Sequence, residues 1–113
     1  MSRKINISPK ASADIVAIWN YTVREHGVDT ADIYVTELDR AMEMAIQYPK
    51  IGTDYSEIRD GYRKLKSGFH LIFYIPHDDG IEIIRVLHEQ ADIPARLNEY
   101  AITSYRHITF SIT

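Results

Sequence analysis

The sequence predicts an α+β domain in which a helical hairpin packs on a mainly antiparallel β-sheet, in the order β-α-α-β-β-β-α. Three features carry that prediction. Apolar residues recur at three- and four-residue steps through the first half of the chain. After Gly61 the rhythm changes to period two. Two tight-turn signals, Ser67-Gly68 and Asp78-Asp79-Gly80, then divide the second half into strands.

Lys4 to Asn6 alternates polar and apolar and reads as a short first strand. Ser8-Pro9 is a helix start: Ser8 suits the N-cap, and Pro9 loses no needed N–H at the first helical position. Ile15, Ile18, Trp19, Thr22 and Val23 follow on one face, and Gly27 is a left-handed stop. A second helix begins almost at once, with Asp29 or Thr30 as its expected cap. Its buried face is expected to carry Ala31, Tyr34, Val35, Leu38, Ala41, Met42 and Ala45, and Pro49 ends it. So short a connection implies antiparallel helices.

Lys50 to Gly61 is irregular. Tyr62 to Ser67 is the next strand. Phe69, Leu71, Phe73 and Ile75 alternate with His70, Ile72 and Tyr74 in another, and are expected to form its core face. Ile81 to His88 is apolar on both faces, as in an interior strand. Asp92 to Tyr100 reads as a brief helix. Residues 1–97 are expected to form one domain and residues 98–113 a C-terminal extension. In that extension Ile108, Phe110 and Ile112 alternate in a strand-like way, which leaves both an added edge strand and a loose tail open.

The 113 residues suit one hydrophobic core. With no cysteine there are no disulfides, thiolate nucleophiles or cysteine metal ligands, in keeping with a reducing cytoplasm. No apolar run approaches the roughly 20 residues that cross a bilayer. The basic start MSRKINISPK has no apolar stretch behind it, so no secretory signal is expected. The formal net charge of −3 argues against a dedicated nucleic-acid binder. Charge is nevertheless uneven: Asp29, Asp32, Glu37, Asp39 and Glu43 surround Arg40 alone, whereas Arg59, Arg63, Lys64 and Lys66 surround Asp60 alone.

The histidines show no zinc-ligand spacing, and His77-Asp78-Asp79 reads as a hairpin turn rather than a metal site. There is no phosphate loop and no Gly-x-Ser-x-Gly elbow. No cofactor is expected.

Several segments carry a resemblance when taken in order: Pro49 with Gly52, Gly61-Tyr62-Arg63, His70-Leu71-Ile72-Phe73-Tyr74, Asp79-Gly80-Ile81-Glu82 and Ile84-Arg85-Val86-Leu87-His88. From about Arg3 to Leu97 the chain resembles the RelE/ParE superfamily of bacterial toxins, and its ParE branch in particular. That resemblance implies a toxin made together with a neutralising antitoxin. The RelE branch cleaves ribosome-bound mRNA; the ParE branch traps DNA gyrase on broken DNA. A toxin-derived module that only binds its antitoxin is a third reading.

Ribonuclease chemistry needs a base for the 2′-OH, cations for the phosphorane and an acid for the leaving oxygen. Tyr62, Lys64 and Lys66 share one strand face, and His70, Tyr74 and Arg85 are candidates for the same side. Two departures oppose that reading. Leu71 stands where such enzymes carry an arginine, and His88 is followed by Glu89 and Gln90 instead of a basic residue. The resemblance therefore favours a non-catalytic toxin. Its candidate partner-binding residues are Tyr62, Arg63, Lys64, Lys66, His70, Tyr74, Arg85 and His88.

Each has a plainer reading beside the functional one. Arg63 and Arg85 suit ion pairs with Glu57, Glu82 or another carboxylate. Lys64 and Lys66 suit either a solvated face or the docking of an acidic tail. Trp19 suits helix packing or a partner contact. The implied partners are a ParD-like antitoxin whose acidic tail wraps the toxin, and DNA gyrase. Operator DNA would be reached only through the antitoxin, and no membrane is involved. A sheet edge and a groove beside the helical hairpin suit an extended or helical tail.

Overall fold

The computed structural model describes residues 4–97. Its elements are β1 (Lys4–Ile7), α1 (Pro9–His26), α2 (Val28–Gln47), β2 (Thr53–Asp54), β3 (Arg63–Ser67), β4 (His70–His77) and β5 (Gly80–His88). Residues 93–97, here α3, are helical. The end of the expected helix at Tyr100 and the alternating segment around Phe110 lie outside the described residues.

The expected order holds, with one addition. The two-residue β2 pairs antiparallel with β3, Thr53 opposite Lys64 and Asp54 opposite Arg63. Two residues are too few to show a period, so the pattern left this strand inside an irregular stretch. The sheet runs β1-β5-β4-β3-β2. Only the β1–β5 pair is parallel; the rest are antiparallel.

Ser8 starts α1 as expected. Its Oγ accepts from Ala11 N at 3.0 Å and donates to the Ile84 carbonyl at 2.8 Å. One buried hydroxyl thus caps the helix and ties it to β5. Ser8→Ala is expected to lower stability by about 1–3 kcal/mol, through the lost cap and an unpaired buried carbonyl. Urea denaturation reads that loss directly.

Gly27, at φ 91°, alone separates the two helices. It also takes the N-cap position of α2, which has no side-chain cap. The expected caps Asp29 and Thr30 therefore lie inside the helix. The one-residue link starts α2 earlier than its polar residues indicated.

The sheet carries a core on each face. On one side Ala11, Ile18, Leu38, Met42 and Ala45 of the helices pack on Ile72, Tyr74, Ile81, Ile83 and Val86. On the other, Tyr62, Phe73, Ile84 and Leu87 pack with Ile93 and Leu97 of α3. β5 contributes to both, as its two-sided apolar run predicted. Its alternation slips once: Phe73 pairs with Arg85 and Tyr74 with Ile83, leaving Ile84 as the extra residue of a bulge. That slip puts Val86 on the helical-hairpin side and Leu87 on the α3 side, the reverse of what unbroken alternation from Ile81 and Ile83 would give.

The expected core face of β4 needs one correction. Gly68 and Phe69 form the hairpin turn, β4 begins at His70, and Phe69 is 65% exposed. Phe73 is buried, and Leu71 and Ile75 are half-buried. Trp19 is half-buried and donates from Nε1 to Asp32 Oδ1 at 3.1 Å, bridging α1 and α2.

Candidate functional site

Directly opposed residues of paired strands share a face. In the β3–β4 register Lys64 lies opposite Phe73 and Lys66 opposite Leu71, so both lysines belong to the α3 side. Arg63 opposite Tyr74 and Ser67 opposite His70 belong to the helical-hairpin side. The basic face expected to combine Tyr62, Lys64, Lys66, His70, Tyr74 and Arg85 is therefore divided. Period-two alternation places Lys64 and His70, six positions apart across a two-residue turn, on opposite faces.

Most of the nominated side chains are engaged within the fold. Tyr62 is buried in the α3-side core. Lys64 Nζ lies 4.5 Å from the centroid of the Tyr55 ring. Lys66 Nζ is 3.2 Å from Glu89 Oε1, an exposed pair. Arg63 donates to the carbonyls of Gly52 and Lys50 at 3.0 and 3.2 Å, instead of the carboxylate expected for it. Tyr74 donates its hydroxyl to the Pro49 carbonyl at 2.7 Å and accepts from Gly52 N at 2.9 Å. Arg63 and Tyr74 together fix the turn that leaves α2.

Arg85 is 8% exposed and meets Asp14 of α1 in a bidentate pair, Nε to Oδ2 at 2.8 Å and Nη2 to Oδ1 at 2.9 Å. Its Nη1 donates to the Arg96 carbonyl at 3.3 Å. Asp14 Oδ2 also accepts from Val86 N at 2.9 Å. β1 ends opposite Ile83, so Asp14 supplies the acceptor that a longer β1 would have offered. The carboxylate partner expected for Arg85 thus exists, but it comes from α1 and not from Glu57 or Glu82.

His70 and His88 do come together. They are opposite each other in the β4–β5 register, with ring centroids 5.3 Å apart, edge to face. His70 Nδ1 lies 2.5 Å from the Tyr34 hydroxyl of α2, which accepts from Phe69 N at 2.9 Å. His88 Nδ1 accepts from Gln90 N at 3.1 Å, and its ring stacks with Phe69, centroids 6.4 Å apart. These imidazoles, with Ala17, Ile18 and Tyr21 of α1, line an open groove of ≈270 Å³. An adjoining hollow of ≈300 Å³ continues it past Asp14, Arg85 and Arg96. Tyr21, which lines it, and Phe69, which stacks on His88, are both exposed.

Burial holds His70 below the ordinary imidazole value of 6.5, and His88 adds to the effect against weaker pulls from Asp14 and Glu89. Burial raises the Tyr34 hydroxyl in turn. A depressed histidine favours folding while neutral. Its contribution is complete above 6.5 and is lost as pH falls through that value toward the folded one. Stability should therefore drop between about pH 7.5 and about pH 5.5, and less steeply in His70→Gln. Urea midpoints at the two pH values check this.

The sequence did not single out Tyr34, Asp14 or Phe69 as parts of this site. Tyr34 and Asp14 reach it from helices distant in sequence, and Phe69 was assigned to the core. The one available signal was a phenol on an otherwise apolar helix face, since a buried hydroxyl needs a partner.

Fold and site together define a small α+β domain with a largely apolar groove lined by Tyr21 and two histidines between α1 and the sheet. Comparison with known proteins narrows the class. The family described as ParE toxin of type II toxin-antitoxin system, parDE, matches residues 5–93. Toxin ParE1 of Mycobacterium tuberculosis (strain H37Rv) is 42% identical over 98 residues, covering 86% of this chain and all of that protein. Toxin ParE1 of Caulobacter vibrioides is 38% identical over 91 residues, covering 80% of this chain and 94% of its own. A solved chain from the chromosomal ParDE TA system of P. aeruginosa shares the fold, with a TM-score of 0.65 at 20% identity over 76% of this chain and 95% of that one. The chain belongs to the ParE toxin family of type II toxin–antitoxin systems.

Proposed function

We propose that this toxin acts without catalysis, by binding DNA gyrase and blocking replication, and that a ParD-like antitoxin with an acidic tail neutralises it. The observation that carries this reading is the division of the cationic and titratable groups. Lys64 and Lys66 lie on one sheet face and His70 on the other, while Arg63, Tyr74 and Arg85 are occupied by the fold. General acid–base cleavage of RNA needs base, acid and cations around one phosphate. Glu89, which would repel such a phosphate, is drawn to Lys66. An open, largely apolar groove is better suited to a protein surface.

The toxin would work in the cytoplasm, where gyrase and the antitoxin are. No helix among the described residues is long and apolar enough to cross a membrane. Operator DNA would be contacted through the antitoxin, in keeping with the toxin's net charge of −3. The test is induced expression of the chain alone in bacteria, with reporter-plasmid topology and mRNA 5′ ends followed together. Growth arrest with relaxed plasmid and unchanged mRNA ends is expected. New mRNA ends at translated codons, with normal plasmid topology, would replace this reading by the ribonuclease one. Normal growth would favour a module that only binds its antitoxin.

A further inference from the structure

We propose that His70 and His88 form a carboxylate-recognition site, taking an Asp or Glu of an acidic antitoxin segment whose neighbouring apolar side chain fills the groove beside Ile18 and Tyr21. The proposal rests on the antitoxin partnership above and assigns its acidic contact to the imidazole pair, not to Lys64 and Lys66.

A neutral imidazole has one N–H donor and one acceptor nitrogen, and the partner of one nitrogen fixes the role of the other. Gln90 N is a main-chain donor, so His88 Nδ1 must be the acceptor and Nε2 carries the proton. Tyr34 Oη accepts from Phe69 N, which leaves its own hydrogen to donate to His70 Nδ1, and we assign that direction to the contact. With that direction His70, too, carries its proton on Nε2. Two side chains directly opposite on adjacent strands thus present two Nε2–H donors on one face.

Neither donor has a protein acceptor among the described residues. No buried side-chain nitrogen or oxygen there lacks a partner, so His70 Nε2 is open to the groove. A metal ion is the wrong occupant, because it needs a lone pair where each ring holds a proton. A carboxylate fits, since its two oxygens accept several hydrogen bonds and carry the charge that strengthens them.

Surrounding charge agrees. Asp14 is paired with Arg85 and Glu89 with Lys66, so each nearby carboxylate is already offset by a cation. A nucleic-acid phosphate is less well served: the walls are apolar and the two donors are neutral, whereas backbone phosphates are met mainly by arginine and lysine.

The test is histidine ¹⁵N–¹H NMR on the full chain near neutral pH. Both rings should read as Nε2–H tautomers; an Nδ1–H pattern at either would overturn the proposal. Adding the peptide Ac-Glu-Leu-NH₂ should shift both Nε2–H signals, and Ac-Gln-Leu-NH₂ should bind roughly tenfold more weakly. Equal binding of the two peptides, or stronger shifts with a short oligothymidylate, would contradict it. His88→Gln changes an exposed residue and spares the core. It should weaken the Glu peptide several-fold and reduce rescue by the cognate antitoxin in cells. Undiminished rescue would sink this site while leaving the toxin–antitoxin reading intact.

Discussion

Arg85→Met should cost about 3–5 kcal/mol of folding stability, because it leaves the Asp14 carboxylate half-desolvated with no cation beside it. The loss has two structural parts: the bidentate pair to Asp14 joins α1 to β5, and the bond to the Arg96 carbonyl joins both to α3. Asp14 meanwhile stays fixed by the Val86 N–H beyond the end of β1, so it cannot swing out to solvent freely. Adding Asp14→Asn to Arg85→Met should recover part of the loss. Asparagine carries no charge to strand and can still accept from Val86. Urea denaturation of the two single variants and the double variant gives the coupling. Strict additivity would contradict the arrangement described.

Gly80→Ala should be comparably damaging, on the order of 3 kcal/mol, for a purely steric reason. Gly80 opposes Lys4 in the parallel β1–β5 pair, and an added Cβ would lie 1.8 Å from the Lys4 carbonyl oxygen. The obstruction is main chain on both sides, so no rotamer relieves it and β1 must move away. Gly27→Ala is the contrasting case. Its Cβ would meet nothing within 4 Å, and only the left-handed backbone at φ 91° resists the change. About 1–2 kcal/mol is expected there. Hydrogen exchange should show the β1–β5 amides of Gly80→Ala unprotected while α1 and α2 keep their protection in Gly27→Ala.

Helix faces and strands were legible because their apolar residues repeat: Leu38, Met42 and Ala45 lie where the period put them, and Ile81 to Leu87 fills both faces of β5. The Ser8-Pro9 start was legible because capping chemistry is local. The bulge at Ile84, the start of α2 at Val28 and the exposure of Phe69 were not. Each depends on one residue of register, and periodic patterns are insensitive to a single-residue slip.

The candidate site was legible only in part. His70 and His88 were named from strand residues of a family-like pattern, and they do share a face. Tyr34 meets His70 from 36 residues away and Asp14 meets Arg85 from 71, which no local motif records. Tyr74, Arg63 and Arg85 carried suitable functional groups, but those groups are used up in holding turns and layers together. A polar side chain in a strand reads alike in sequence whether it faces a partner or a main-chain carbonyl.

The central claim, that this toxin works by binding a topoisomerase and not by cutting RNA, is tested most directly with purified components. The chain is incubated with DNA gyrase, ATP and relaxed plasmid, and the DNA is resolved after detergent and protease treatment. Loss of supercoiling with accumulation of linear, enzyme-cleaved plasmid is the predicted result. Unimpaired supercoiling and no cleaved DNA at toxin in excess over gyrase would contradict the account.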